Sequence, residues 1–156
     1  MKTSEEIMSK KLISVRMEDT MLLAYQLMTD NGIRHLPVFD EQQNLMGILS
    51  DRDVQRAMVT DKGDECLEEV YLNIEKKVIE FMSRPIASVQ EETPLSEVIL
   101  LMTSKKISAV MVENRRGKFT GIITTDDLLT CLLNLISRED ELMKKPISFF
   151  APNILY

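Results

Sequence analysis

The sequence contains an internal repeat, and this repeat constrains the fold more than any other feature of the sequence. A shift of 74 residues, which carries Met8 onto Met82, also places Gly47-Ile48 on Gly121-Ile122, with no gap between residues 6 and 54. Two unrelated amphipathic segments would not keep one offset over such a span. The sequence therefore predicts two similar structural units in one chain.

Each copy predicts the element order β-α-β-β-α. In the first copy the strands fall at residues 12–15, 36–39 and 45–49, with helices over 20–30 and from Asp51. In the second they fall at 86–89, 109–112 and 119–123, with helices over 94–105 and from Thr125. The periodicity and the helix-entry residues carry these assignments. Because one unit has too few strands to stand alone, we expect an α/β fold in which the copies pack together.

The repeat also sets the expected boundaries. Repeat 1 covers residues 1–60, a linker 61–77, repeat 2 residues 78–138 and a C-terminal tail 139–156. A charged loop is predicted over 60–69, a helix over 70–82 and a further helix over 128–138. The apolar tail either folds back on its own domain or offers a surface to a partner.

Composition narrows the classes of function. With 19 Lys and Arg against 25 Asp and Glu, the net charge of -6 opposes binding to a nucleic-acid backbone. One histidine and two distant cysteines, Cys66 and Cys131, make no metal site, and no catalytic triad or phosphate-cradling glycine loop is present. No apolar run could span a membrane or serve as a signal peptide. We expect a cytoplasmic protein with reduced thiols, no cofactor, no enzymatic activity, and no nucleic-acid or membrane partner.

The stretches GILSDRD (47–53) and GIITTDD (121–127) support two interpretations. Ser50 and Thr124 fit helix N-caps, with Asp53 and Asp127 returning a hydrogen bond from the third helical position. The same carboxylates could accept both hydroxyls of a vicinal diol, beside helix N-termini that favour an anion. Capping boxes prefer the longer Glu or Gln, so Asp in both copies favours a ligand clamp that is also a cap.

The order IMSKKLISV, IRHLPVFDEQQNLMGILSDRD, FMSRPIASV, ISAVMVENRRGKFTGIITTDD resembles a tandem pair of CBS domains, the cystathionine β-synthase-type module, over roughly residues 5–138. The first copy in particular resembles the stand-alone bacterial CBS pairs of the acetoin-utilisation type. The resemblance implies one CBS pair, or Bateman module. It also implies a non-catalytic sensor, for example of cellular energy, that binds AMP, ATP or a related adenosyl ligand between the repeats.

The resemblance further implies residue roles. The ribose hydroxyls would be held by Ser50 with Asp53 and by Thr124 with Asp127, and the adenine would be flanked by Leu12, Ile13, Ile86 and Ala87. Arg34 and His35 would meet the phosphates, where the second copy has Ser108 and Ala109. From the residues alone, Arg34 and His35 fit a solvated strand end equally well.

Apolar stripes on the second helix of each copy predict self-association. The stripes comprise Val54, Ala57 and Met58 in the first copy and Leu128, Leu129, Leu132 and Leu133 in the second. They exceed what a small sheet can bury, so another surface must cover them. Because CBS pairs resemble half-discs that join through such helices, the resemblance implies a homodimer through the second-repeat helix, with a client protein as a further partner. The alternative function is a structural dimerisation or docking module whose clefts hold no nucleotide.

Overall fold

The fold is α/β, with two three-stranded sheets, in a computed structural model that describes residues 2–62, 68–72 and 76–139. Repeat 1 consists of α1 (Ser4–Ile7), β1 (Val15–Arg16), α2 (Met21–Asn31), β2 (His35–Phe39), β3 (Leu45–Ser50) and α3 (Asp51–Ala57). The connection contains β4 (Met58–Lys62) and β5 (Glu68–Leu72). Repeat 2 consists of a 3₁₀ turn (Val78–Glu80), β6 (Ser88–Gln90), α4 (Leu95–Lys105), β7 (Ala109–Glu113), β8 (Phe119–Thr124) and α5 (Thr125–Glu139).

The two sheets have the same topology. In repeat 1, β1 runs parallel to β2 and β2 antiparallel to β3, and in repeat 2 the strands β6, β7 and β8 pair in the same way. Even the irregularity recurs, because the register shifts after Val38 in one sheet and after Val112 in the other. The predicted β-α-β-β-α order and the α/β class are therefore confirmed.

The connection between the repeats differs from the prediction. The helix predicted over 70–82 is wrong, because β5 pairs antiparallel with β4 and the 3₁₀ turn follows later. The predicted loop at 60–69 likewise gives way at both ends to these strands. Val70 and Tyr71 favour extended backbone, and β4 supplies hydrogen-bond partners that a local reading of the sequence does not show. Residues 63–67, with Cys66, and residues 73–75 and 140–156, with most of the tail, lie outside the described residues.

The apolar stripe predicted for the first copy is also partly wrong. Val54 and Ala57 are buried in the core of repeat 1, and Met58 packs against that core. Leu128 packs in the same way on the core of repeat 2, whereas Leu129, Leu132 and Leu133 are exposed. The small sheet therefore buries more of the first stripe than its area suggested, because α2 and the 3₁₀ turn contribute to the same core.

Each repeat is completed by a segment of the other. We call residues 4–9 and 78–83 the leader segments. The Ser4 amide donates to the Thr93 carbonyl oxygen at 2.9 Å, and Ser9 pairs with Ile122 of β8. The equivalent Val78 amide donates to the Asp19 carbonyl oxygen at 2.9 Å, and Ser83 pairs with Ile48 of β3. The leader segments are thus exchanged between the repeats.

A methionine in each leader segment packs over a glycine of the opposite sheet. Met8 joins the core of repeat 2, and Met82 packs against the core of repeat 1. A Cβ added at Gly47 would lie 2.7 Å from the Met82 Sδ, and one added at Gly121 would collide with the Met8 side chain. A side chain at either position would displace the methionine above it, so glycine allows the opposite leader segment to lie directly over the strand.

A third apolar cluster joins the two repeats. Its buried members are Ala109, Met111 and Ile122, and the partly buried side chains against them are Leu12, Phe39, Leu45, Ile48, Ile86 and Phe119. The rings of Phe39 and Phe119 lie 6.2 Å apart between centroids at 59°, within the range of favourable aromatic pairs. The repeats therefore share an apolar core in addition to the exchanged segments.

The exchange predicts a specific pattern of coupling between substitutions. Gly121→Ala should lower the free energy of unfolding by about 1–3 kcal/mol, because the added methyl group overpacks the site under Met8. Met8→Ala in the same chain should recover part of that loss, with a coupling of about 0.5–3 kcal/mol, whereas Met82→Ala should add its own loss in full. Urea unfolding of the single and double variants measures both values. Coupling of Gly121 to Met82 rather than to Met8 would contradict the exchange.

Candidate ligand-binding site

Two clefts lie between the repeats, and each contains one copy of the Ser/Thr-x-x-Asp motif. Cleft one, with a volume of about 380 Å³, carries Ser50 and Asp53. Cleft two, of about 320 Å³, carries Thr124 and Asp127. Both volumes fall in the range of small-molecule pockets. Each motif occupies its position because β3 or β8 ends there and the next helix begins at once.

The remaining walls of each cleft come from both repeats. Residues 106–109 of repeat 2 line cleft one, and residues 31–35 of repeat 1 line cleft two. The exchanged leader segments bring Ser83 to cleft one and Ser9 to cleft two. A ligand in either cleft would therefore contact both repeats.

The motif forms a helix cap in both copies. The Asp53 Oδ2 accepts hydrogen bonds from the Ser50 amide and hydroxyl, both at 2.7 Å. The Asp127 Oδ2 accepts from the Thr124 amide and hydroxyl, also both at 2.7 Å. The prediction that both motifs cap a helix is therefore confirmed. The cap involves one oxygen of each carboxylate.

The second oxygen of each carboxylate has different partners in the two clefts. The Asp53 Oδ1 accepts from the Arg56 Nη2 at 2.6 Å, with the Asp53 side chain only 7% exposed. The Asp127 Oδ1 accepts from the Ser9 hydroxyl at 3.3 Å. Each Oδ1 retains acceptor capacity, so a ligand hydroxyl can bind there while the cap stays intact. The same aspartate can serve as cap and as clamp.

The structure divides the expected site residues between the clefts. Cleft one contains Ser50, Asp53, Ile86 and Ala87; cleft two contains Ile13, Arg34, Thr124 and Asp127; His35 lines both. Leu12 lines neither cleft, because its side chain packs in the apolar cluster between the sheets.

Several residues that line the clefts were missed from the sequence. They are Arg52, Arg56, Lys106 and Ser83 in cleft one, and Ser9, Lys11 and Asp126 in cleft two. Two signals could have found some of them. Arg52 and Asp126 lie inside the repeated motif, and Ser9 and Ser83 are equivalent positions of the repeat. Lys106 carried no such signal, because only the fold brings it to cleft one.

Arg34 is held by a carboxylate of the opposite repeat. Its Nη2 lies 2.5 Å from the Asp126 Oδ1, and its Nε donates to the Asp126 Oδ2 at 3.1 Å. The hydrogen bond to Asp126 and the attraction of that charge raise the pKa of the guanidinium. The bidentate pair satisfies one face of Arg34 before any ligand arrives.

His35 is a neutral side chain at neutral pH. Its Nε2 lies 2.8 Å from the Ser108 hydroxyl, which joins the two repeats between the clefts. Burial lowers the pKa of the imidazole below its ordinary value, and Arg34 lowers it further, against the opposing effects of Asp51, Asp126 and Asp53. The ring therefore offers the clefts hydrogen-bonding groups without a charge.

Two other features, a metal site and a membrane-spanning helix, are absent from the described part of the chain. Across residues 2–62, 68–72 and 76–139, no three His, Cys, Asp or Glu side chains are grouped to hold a metal ion. No helix in that same part of the chain is long and apolar enough to cross a membrane.

The state of His35 predicts a pH dependence of stability. The folded chain takes up the His35 proton at lower pH than the unfolded chain. The contribution of neutral His35 to the free energy of unfolding is therefore complete above about pH 6.5 and is lost as the pH falls below that value. The midpoint of thermal unfolding should fall between about pH 7 and pH 5.5, and His35→Gln should reduce that slope. Because the sequence has only one histidine, an unchanged slope in His35→Gln would contradict the assignment.

Solved structures of similar fold cover almost the whole chain. A protein named for acetoin utilization (AcuB) from Vibrio cholerae is 28% identical, with 94% of this chain and 99% of that chain covered at a TM-score of 0.69. The CBS domain pair of protein MJ0100, solved with 5′-methylthioadenosine and S-adenosyl-L-methionine, is 24% identical, with 86% and 98% covered and a TM-score of 0.71. CBSX2, solved in complex with AMP, is 21% identical, with 87% and 99% covered and a TM-score of 0.67.

Sequence relatives include both small proteins and parts of large ones. A CBS domain-containing protein of Dictyostelium discoideum is 28% identical over 136 residues, which is 85% of this chain and 92% of that protein. The L-aspartate semialdehyde sulfurtransferase of Methanocaldococcus jannaschii is 27% identical over 124 residues, which is 80% of this chain but 22% of the enzyme. The similar module thus occurs alone and as a minor part of an enzyme.

Both copies of the repeat match one family model. The model for the CBS domain matches residues 4–60 and again residues 78–134, so that each match holds one Ser/Thr-x-x-Asp motif and one leader segment. This confirms the resemblance seen in the sequence. The chain belongs to the CBS-domain family and is a tandem CBS pair.

Proposed function

We propose that this chain is a non-catalytic regulatory module that binds adenosine-containing ligands in its two clefts. The observation that carries the proposal is the second oxygen of Asp53 and of Asp127, which stays able to accept a hydroxyl after the cap has used the first. A ribose presents two adjacent hydroxyls, which a carboxylate edge and a neighbouring hydroxyl residue can bind together.

The walls of the clefts explain how binding would act as a signal. A ligand in cleft one would touch Asp53 of repeat 1 and Ile86, Ala87 and Ser108 of repeat 2. Such a ligand binds more tightly to the arrangement of the repeats in which both sets of contacts form than to any other arrangement. Its binding therefore shifts the population toward that arrangement. Occupancy is thereby converted into a change in the surface available to a client protein.

The ligands of similar structures support the adenosyl class. The MJ0100 pair was solved with 5′-methylthioadenosine and S-adenosyl-L-methionine, CBSX2 with AMP, and a bacterial CNNM/CorC family Mg²⁺ transporter domain with ATP. These ligands share adenosine and differ in what is attached to its 5′ position. Adenosine is therefore the part that we assign to both clefts of this chain.

Ligand-dependent melting tests this proposal. An adenosyl ligand at about 100 times its Kd should stabilise the fold by about 2.7 kcal/mol and raise the melting temperature by several degrees. We expect such a shift with at least one of AMP, ATP, 5′-methylthioadenosine and S-adenosyl-L-methionine. In the double variant Asp53→Asn/Asp127→Asn the shift should largely disappear, because an amide cannot accept at both atoms.

A matched control removes a charge without touching a cleft carboxylate. Asp51 begins the same helix as Asp53 but lines neither cleft, so Asp51→Asn should keep the shift. If no adenosyl compound stabilises the wild-type protein, the alternative of a docking module with empty clefts is the better account.

We also propose that the chain forms a homodimer through α5. Leu129, Leu132, Leu133 and Ile136 follow one another at helical spacing and are 58%, 51%, 57% and 42% exposed. Cys131, on another side of the helix, is buried against the domain. An apolar stripe of this size on a helix that is already packed on its opposite side is typical of an interface.

The dimer is tested by sedimentation velocity. The wild-type chain should sediment as a dimer at micromolar concentration, and Leu132→Glu with Leu133→Glu should yield a folded monomer, because charges would be buried in the interface. Asn134→Glu is the control, since Asn134 lies on the same helix away from the stripe and should leave the dimer intact. A monomeric wild-type chain would refute this part of the proposal.

A further inference from the structure

The two clefts differ in charge although they are copies of one design. Cleft one has three cationic side chains, Arg52, Arg56 and Lys106, and one carboxylate, Asp53. Cleft two has two cations, Lys11 and Arg34, and two carboxylates, Asp126 and Asp127. Because His35 is neutral at pH 7, it does not alter this balance.

One pair of equivalent positions accounts for much of the difference. The offset of 74 residues carries Arg52 onto Asp126, so the middle of the motif is cationic in cleft one and anionic in cleft two. Asp126 in turn holds Arg34 through two hydrogen bonds, so one of the two cations of cleft two is already paired. Among the residues that the structure describes, two cations of cleft one, Arg52 and Lys106, have no carboxylate partner, against one, Lys11, in cleft two.

Lys106 gives an independent indication of the same division. It ends α4 in the left-handed backbone conformation at φ 54°, where repeat 1 has Gly32 at φ 61°. A lysine in this conformation costs stability relative to glycine, and such strain concentrates at functional sites. Lys106, which adopts this unfavourable backbone conformation, lines cleft one.

We propose that the clefts select adenosyl ligands by the charge on the 5′ substituent. Cleft one takes a ligand with a negatively charged substituent, a phosphate, which Arg52 and Lys106 bind with Arg56 beside them. Cleft two takes a ligand whose substituent carries no net negative charge, since its two cations and two carboxylates balance and only Lys11 would be unpaired to meet a phosphate. This inference rests on the proposed function of the clefts and assigns the phosphate contact to Arg52 rather than to Arg34.

Titration calorimetry with AMP and 5′-methylthioadenosine tests the selection, because the two probes differ only at the 5′ position. In the otherwise wild-type chain, Arg52→Gln should weaken AMP about tenfold to a hundredfold, since it removes a charge-assisted hydrogen bond. Arg34→Gln should weaken AMP less than about threefold, because Arg34 is already paired. Neither substitution should change the affinity for 5′-methylthioadenosine by more than about threefold. The reverse order for Arg34 and Arg52 would overturn the assignment.

Variants with one working cleft separate the two sites. With Asp127→Asn, which leaves cleft one, AMP should bind at least about tenfold tighter than 5′-methylthioadenosine. With Asp53→Asn, which leaves cleft two, that preference should be lost or reversed, and adding Asp126→Arg should restore it. Arg116→Asp, in the turn before β8, is the control for altered net charge and should leave both affinities unchanged.

The outcomes distinguish this inference from the proposed function. If both probes bind but neither charge variant changes their ratio, the clefts are adenosyl sites without charge selection. If neither probe binds the wild-type chain, both proposals fail. Should a single-cleft variant not fold, the comparison of Arg52→Gln with Arg34→Gln still decides, because both side chains are exposed and neither packs in a core.

Discussion

The exchange of the leader segments is the interaction on which the rest of the structure depends. Ser4 to Ser9 seal repeat 2, and Val78 to Ser83 seal repeat 1, with each methionine seated over a glycine of the other sheet. The same segments continue into the cleft walls, so neither cleft can be complete in one repeat. Folding, the contact between the repeats and the shape of both candidate sites are therefore consequences of one arrangement.

The motif can combine two tasks because a carboxylate has two oxygens. In both copies Oδ2 accepts the hydrogen bonds that cap the helix, and Oδ1 is left to other partners. A side chain already ordered by the fold loses little further entropy when it binds a ligand. Under the proposed function the cap would order the aspartate before a ligand arrives, so the two interpretations of the motif are compatible.

The elements inside each copy could be predicted from the sequence because local periodicity and capping determine them. The repeat shows that Met8 and Met82 occupy equivalent positions. It does not show which sheet each methionine covers, so the exchange of the leader segments could not be predicted. The sequence also could not place Arg34, since its cleft depends on how repeat 1 faces repeat 2. The prediction of a helix at 70–82 was wrong because β5 forms by pairing with β4, a strand that lies earlier in the chain. The position of Leu12 in the contact between the sheets was not predictable for a related reason, because that contact depends on how the two repeats pack.

The exchange also sets an order of events during synthesis. The Ser9 hydroxyl and the Asp127 carboxylate that meet in cleft two are 118 residues apart, among the longest separations in the described structure. Because a ribosome releases the chain from its N-terminus, the first leader segment emerges long before the strand on which it must dock. Repeat 1 can receive its seal as soon as Met82 and Ser83 appear, whereas repeat 2 waits for β8 before it can take up a segment made much earlier. The first leader segment therefore waits longer for its docking strand, and the residues that line cleft two are complete later in the chain than those that line cleft one.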